Sequence, residues 1–434
     1  MGTDSLTVAL RRSWHVAAVI EHDFELARAK AGLAVDRAIL AGMLQTQAVS
    51  PSDSAGDRSP ASDSRVAAGP TLRQAYDAYM ADPTKDWSPR TRFAYETTRR
   101  VVLAVLGEDT PVRSITRAQC RELIQTLRWQ PRNARKLYPG LGPAEIAALA
   151  RASGRTDLIS PANLNAYLKK IGGVFNWCVK EEIIDRNPAH GLRVPDPTVR
   201  REKRLPFSTA QLQAIFAAPL YTGCRDDGHG YSVRGTSRPR NARFWIPLIG
   251  LYCGLRLNEA CQLDVSDVRA LEDIACFVVT EASQLNTTDK RLKTASSARV
   301  VPVHPMLLDL KFMDFVAERR RAGETKLFAE VGMGATGYRS ATFSAWFARF
   351  AAKAGASTTK TCYHSTRHSF RDALREARVD RDIALALGGW TRGGGGGSNA
   401  SVSDAYGSGY RVATLFEAIS RVRYPGLDLS HLMP

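Results

Sequence analysis

No stretch of about 18 uncharged apolar residues occurs in the sequence, which argues against a membrane-spanning helix. The opening residues, Met1 to Thr7, lack the basic start and apolar core of a secretion signal, so a cytoplasmic protein is expected. Cysteine is sparse and unpaired. Cys120, Cys178, Cys224, Cys253, Cys261, Cys276 and Cys362 are odd in number, scattered, and never in a Cys-x-x-Cys ligand spacing, so reduced and mostly buried thiols are expected. The glycine run Gly393 to Gly397 lacks the Lys-Ser/Thr of a phosphate-cradling loop and reads as a flexible tether. Neither an internal repeat nor a heptad pattern is present. Acid is also short: 43 Asp and Glu face 60 Lys and Arg, a formal charge of +17. Such an excess favours a polyanionic partner, nucleic acid or an anionic membrane surface, and says nothing about fold. At 434 residues the chain can bury real cores, on a scale of about 150 residues per domain.

Composition divides the chain. Residues 1–47 are rich in Ala and Leu with interspersed charges and read as an N-terminal helical segment too small to make a core alone. Residues 48–70, dense in Ser, Pro, Asp and Gly, read as a flexible linker. From 71 to 197 the pattern is helical. Leu72, Ala75, Tyr76, Tyr79 and Met80 share a face, Ser88-Pro89 gives a helix start, and Thr116 with Gln119 makes a capping box. Ser160-Pro161 opens a helix whose stripe is Leu164, Leu168, Ile171, Phe175 and Cys178. Residues 130–158 read as an inserted loop with a short helix. A basic, Pro-bearing linker follows at 198–206. Residues 207–425 read as a second domain, opened by the cap pair Ser208 and Gln211, with two short strands at 274–279 and 299–303, and residues 426–434 as a tail. The fold class is mainly α with a small β-sheet (α+β), and both large domains are basic enough to grip one polyanion between them.

Several clusters carry chemistry. The apolar helix 244–252 runs into Cys253-Gly254-Leu255-Arg256-Leu257-Asn258-Glu259, where a buried arginine needs a partner and Glu259 stands three residues on. His364-Ser365-Thr366-Arg367 puts an imidazole and a guanidinium on one helical face. A metal site of Cys362, His364 and His368 is disfavoured, because the neighbouring Arg would repel the cation. Lys290 to Arg299 is a basic turn between the strands, either a solvated hairpin tip or a mobile carrier of Lys293 into a groove. After Gly389-Trp390 and the glycines, Tyr406 and Tyr410 are flanked by Gly, Ser, Ala and Asp rather than by apolar anchors.

In this order, Arg256 with Glu259, Lys293, His364-x-x-Arg367, Gly389-Trp390 and Tyr406 resemble the catalytic domain of the tyrosine recombinase (phage integrase) family. The resemblance covers about residues 71–425, with 71–197 similar to the family's SAM-like core-binding domain and 207–425 to its catalytic domain. It implies a clamp around double-stranded DNA, working as a homotetramer on two paired sites with no cofactor and no metal. It leaves room for accessory DNA-bending or directionality proteins. It also implies roles: Arg256 and Arg367 hold the phosphate oxygens, Tyr406 attacks phosphorus to give a 3′-phosphotyrosine, and Lys293 protonates the leaving 5′-oxygen. His364 manages the tyrosine proton, Trp390 completes the pocket, and Glu259 orients Arg256 or His364. Tyr406 stands sixteen residues beyond Trp390, against about nine in the family, so Tyr410 remains the alternative nucleophile. The amphipathic segment 412–419 is expected to pack on a neighbouring subunit. Site-specific integration or excision of a mobile element is the function implied. The alternatives are a type IB topoisomerase-like enzyme and a catalytically silent DNA-binding regulator.

Overall fold

The computed structural model describes residues 69–197, 204–283, 289–292, 297–335, 337–390 and 409–434. Every described residue lies within one compact unit, 68–434. The N-terminal helical segment, nearly all of the 48–70 linker, Lys293, the glycine run and Tyr406 lie outside the described residues.

Within the described unit the apolar side chains gather in two clusters. The first, from Leu72 to Ala189, is helical throughout. Its elements are α1 (Leu72–Ala81), α2 (Pro89–Leu106), α3 (Arg117–Arg128), α4 (Ala134–Leu137), α5 (Pro143–Ala152) and α6 (Pro161–Lys180). The start signals act as expected. The hydroxyls of Thr71, Ser88, Thr116 and Ser160 each accept a backbone N–H from the first turn, and the Gln74 and Gln119 side chains close two capping boxes. The face Leu72, Ala75, Tyr76, Tyr79, Met80 is buried, as is the α6 stripe. One expectation needs correction: residues 130–158 hold two helices rather than a loop with one. Gly142 donates its N–H to the Glu145 carboxylate (2.6 Å) at the head of α5, and Ile146, Ala147 and Ala150 are buried along it. α5 packs on α2 and α3 as a further member of the bundle.

The second cluster runs from Phe207 to Leu432. It begins with α7 (Thr209–Phe216), capped by Ser208 and Gln211, then α8 (Pro219–Thr222) and α9 (Ala242–Tyr252), apolar and buried from Phe244 onward. Pro247 interrupts α9, and Tyr221 Oη donates to the carbonyls of Arg243 (3.4 Å) and Phe244 (3.2 Å). α10 (Leu257–Cys261) follows a tight turn at Gly254, whose φ is +64° and whose missing Cβ makes room for the Phe370 ring.

The sheet is a three-stranded antiparallel meander, β1 (Val268–Leu271), β2 (Ile274–Val279) and β3 (Arg299–Pro302). Two strands are expected from the sequence; β1 is the addition. Its turn residues Glu272 and Asp273 have φ of 48° and 59°, the primed-turn geometry that Gly and Asn normally announce. Val268 pairs with Phe277, and Phe277 with Val301, all three buried. Then come α11 (Pro305–Asp309), α12 (Phe312–Arg321), α13 (Ser340–Lys353), α14 (His364–Glu376), α15 (Arg381–Gly388) and α16 (Val412–Ile419). Gly250 lets α9 and α14 approach closely, for a Cβ there would stand 2.5 Å from Tyr363 Oη and 2.7 Å from Thr366 Oγ1. α16 buries Leu415, Ala418 and Ile419 against β3 and α15 of its own chain, where a neighbouring subunit is expected from the sequence. The final residues pack on the same core, Tyr424 Oη donating to Leu251 O (2.6 Å) with Leu429 and Leu432 buried. All seven cysteines are free, six of them buried. No described helix is long and apolar enough to cross a membrane.

Candidate active site

A helix leaves its last carbonyls without intrahelical donors, and its dipole makes that end negative. α15 ends this way at Leu387-Gly388-Gly389, and each of these three carbonyls receives a different arginine. Arg299 Nε donates to Leu387 O (2.9 Å), Arg367 Nη2 to Gly388 O (2.6 Å) and Arg256 Nη2 to Gly389 O (2.6 Å). The Gly-Gly pair is required here. Gly389 is left-handed (φ +57°), and a Cβ on it would stand 2.9 Å from Arg299 Nη1. A Cβ on Gly388 would overlap the Trp390 ring.

Glu259 supplies the negative charge within the cluster. It is 3% exposed, accepts Arg256 Nη1 on Oε1 (2.5 Å), and accepts Arg299 Nη2 and the Arg256 N–H on Oε2 (2.8 Å each). Burial alone would raise its carboxyl pKa, but the charges of Arg299 and Arg256 outweigh burial and hold it at about 2. The expected Arg256 pairing is present, and Arg299, which no motif pointed to, is the second partner. Its only signal in the sequence is a charge opening an otherwise apolar strand.

Arg367 is 2% exposed, its Nη1 donates to Gly254 O, and its Nε–H has no partner among the described residues. Burial, then Arg299 and Arg256, pull its pKa down to about 9, against the opposing effect of Glu259. It remains a cation at neutral pH whose charge is poorly compensated, a state that an incoming anion would relieve. Its guanidinium stacks over the Trp390 ring (5.0 Å to the centroid), and Arg371 lies over that ring as well (5.2 Å). His364 opens α14 and is exposed, its ring edge-on to His368 at 5.2 Å. Among the described residues no three His, Cys, Asp or Glu side chains converge as metal ligands.

The structure therefore brings together Arg256, Glu259, Arg367 and Trp390, with His364 on the first turn of the helix that carries Arg367. Tyr410 is described and 43% exposed. The basic turn requires a correction at Lys290, because it is buried rather than solvated: its Nζ is 2.7 Å from both carboxylate oxygens of Asp267 and 3.4 Å from Asp264. Lys326 bridges Asp264 and Asp289 at 2.7 Å each, and Asn258 Nδ2 reaches Arg291 O (3.4 Å). This ionic cluster ties residues 289–291 to the body of the domain.

Residues 241–394 match the model of the phage integrase family. The match spans that segment alone, in which Arg256, Glu259, Arg367 and Trp390 all lie. Among solved structures, the Tn1549 transposon integrase in complex with transposon right-end DNA aligns with a TM-score of 0.51 and 17% identity, covering 74% of this chain and 92% of that one. The same integrase with circular-intermediate DNA aligns at 0.50 and 16%, covering 80% and 97%. At that identity the likeness is one of fold. No curated protein matches the chain.

Proposed function

We propose that this protein is the integrase of a mobile element, cleaving and rejoining double-stranded DNA at specific sites through a 3′-phosphotyrosine intermediate. The observation that carries this reading is the arginine cluster at the end of α15, where three guanidiniums face one carboxylate. The site keeps a net positive charge and an unspent Arg367 N–H for a phosphodiester whose transition state gathers charge on its non-bridging oxygens. Similarity in fold to a transposon integrase solved with transposon-end DNA supports the same substrate class.

In this mechanism Arg256 and Arg367 hold the non-bridging oxygens. The Tyr406 phenolic oxygen attacks phosphorus, its proton passing to His364, and the bond from phosphorus to the 5′-oxygen breaks as Lys293 gives that oxygen a proton. Trp390 closes the phosphate pocket. The phosphotyrosyl ester conserves the bond energy, so the 5′-hydroxyl of another strand reverses the step without ATP. Residues 71–197 and 207–425 act as the two halves of a DNA clamp, four copies assembling on two paired sites. Tyr410 is the alternative nucleophile.

The test is recombination in vitro between two duplexes drawn from DNA flanking the gene, without nucleotide. Joined products from the wild-type protein and none from Tyr406→Phe are expected; products unaffected by that substitution overturn the assignment of the nucleophile. A second reading draws on α16, whose apolar face is taken up within its own chain. A monomer that relaxes supercoiled DNA without joining two sites would make the protein topoisomerase-like.

A further inference from the structure

We propose that Arg299 is a positioning residue of the strand-cleavage site, dividing the charge of Glu259 so that Arg256 stays available to phosphate. The inference rests on the reading of the arginine cluster as the phosphate site and adds a residue outside the family motif.

All three donor groups of Arg299 are spent on the protein: Nε on Leu387 O (2.9 Å), Nη1 on Ser297 O (2.9 Å) and Nη2 on Glu259 Oε2 (2.8 Å). Its side chain is only 7% exposed, and every nitrogen of its guanidinium is held by a protein oxygen. Arg256 differs, being more open at 22%. What Arg299 does, it does through its neighbours. Among the described residues, Glu259 is the only carboxylate paired with either arginine. With Arg299 in place the cluster carries three cations and one anion. Without it, Glu259 would be paired with Arg256 alone, and their charges would cancel at the group meant to face the phosphate. Arg299 also joins the first residue of β3 to the end of α15, one residue from the carbonyl that holds Arg367 and two from the one that holds Arg256. The Gly389 backbone is shaped around it, since any side chain there would run into the guanidinium. A buried cation paired in this way fixes geometry and sets the field of the site together.

The test follows covalent adduct formation on nicked duplexes from the flanking DNA, whose released strand diffuses away so that the single-turnover rate is read. Arg299→Met is expected to slow the adduct about 100-fold, as loss of one preorganised donor does, while DNA affinity in a mobility shift changes by less than about threefold. Adding Glu259→Gln should recover about tenfold of that rate, because neutralising the carboxylate removes the excess negative charge that Arg299 no longer shares. A residue serving stability alone would show no such rescue. If Arg299→Met melts too low to assay, Arg299→Lys keeps the charge without the fork and should fall between it and the wild type. A folded Arg299→Met within about threefold of wild type, or a double variant no faster than the single, overturns the proposal. Titration with inorganic phosphate, followed by thermal shift, gives a readout independent of cleavage. Arg299→Met should bind about tenfold more weakly and the double variant should regain the loss; equal affinities would overturn the proposal. A wild-type protein that binds phosphate but forms no adduct would count against the cleavage reading, and the titration would still decide Arg299.

Discussion

Replacing Glu259 by Gln keeps the shape of the side chain and removes the one anion that, among the described residues, pairs with Arg256 and Arg299. Three donors converge on two carboxylate oxygens: Arg256 Nη1 on one, Arg299 Nη2 and the Arg256 N–H on the other. An amide offers one oxygen. Placed toward Arg299 it keeps two of the bonds and turns an NH2 against Arg256 Nη1, which sits 2.5 Å from the original oxygen. A buried cation left without its counterion costs about 3–5 kcal/mol, and the partial exposure of Arg256 argues for the lower end, about 3. For a core of this size that corresponds to a fall of roughly 6–12 °C in melting temperature at pH 7. Acid sharpens the test. The carboxyl sits at about 2 in the folded protein against its ordinary 4.5, so its contribution is complete above pH 4.5 and is lost as pH falls toward 2. The wild type should lose stability through that window and the variant should lose less. Calorimetry or far-UV melting at stepped pH measures both. A Glu259→Gln protein melting within about 2 °C of wild type at neutral pH, or the two declining in parallel through acid, would refute the account of the cluster.

Other consequences are open to measurement. His304 is buried, its Nε2–H donates to Val422 O (3.1 Å) while Nδ1 accepts the Met306 N–H, and burial lowers its pKa to about 4. The unfolded chain takes up that proton first, so stability should fall by about 3 kcal/mol between pH 6.5 and 4, and His304→Gln should flatten that part of the profile in urea titrations. Gly254→Ala would place a methyl into the Phe370 ring at φ +64° and should cost at least about 2 kcal/mol, whereas Gly355→Ala, at φ +73° with open space around it, should cost about 1; equal losses in chemical denaturation would contradict the packing described. DNA affinity should fall at least about 100-fold between 50 and 200 mM salt, and a flat response in a fluorescence titration would remove the clamp.

Much of the fold was legible because local rules agree with the final packing. Ser88-Pro89, Ser160-Pro161 and the Thr116 and Ser208 caps announce helices whose apolar stripes then fill the two cores. β1 was not legible, since its turn is made by Glu272 and Asp273 in a geometry their types rarely take and two of its four residues are exposed. Lys290 looks like one more charge in a basic turn, and only the tertiary fold brings Asp264 and Asp267 around it. Arg256, Arg367 and Trp390 were readable as a pattern in order. Arg299 was not, because its role comes from the end of α15, almost ninety residues further along the chain.

The central claim is that this protein breaks DNA by forming a covalent bond to one tyrosine. Its most direct test is to trap the denaturant-resistant adduct on nicked duplexes from the flanking DNA and map the modified peptide by mass spectrometry. The account predicts a 3′-phosphoryl group on Tyr406. An adduct on Tyr410 would move the nucleophile, and tight binding to cleavable DNA with no adduct on any residue would contradict the account.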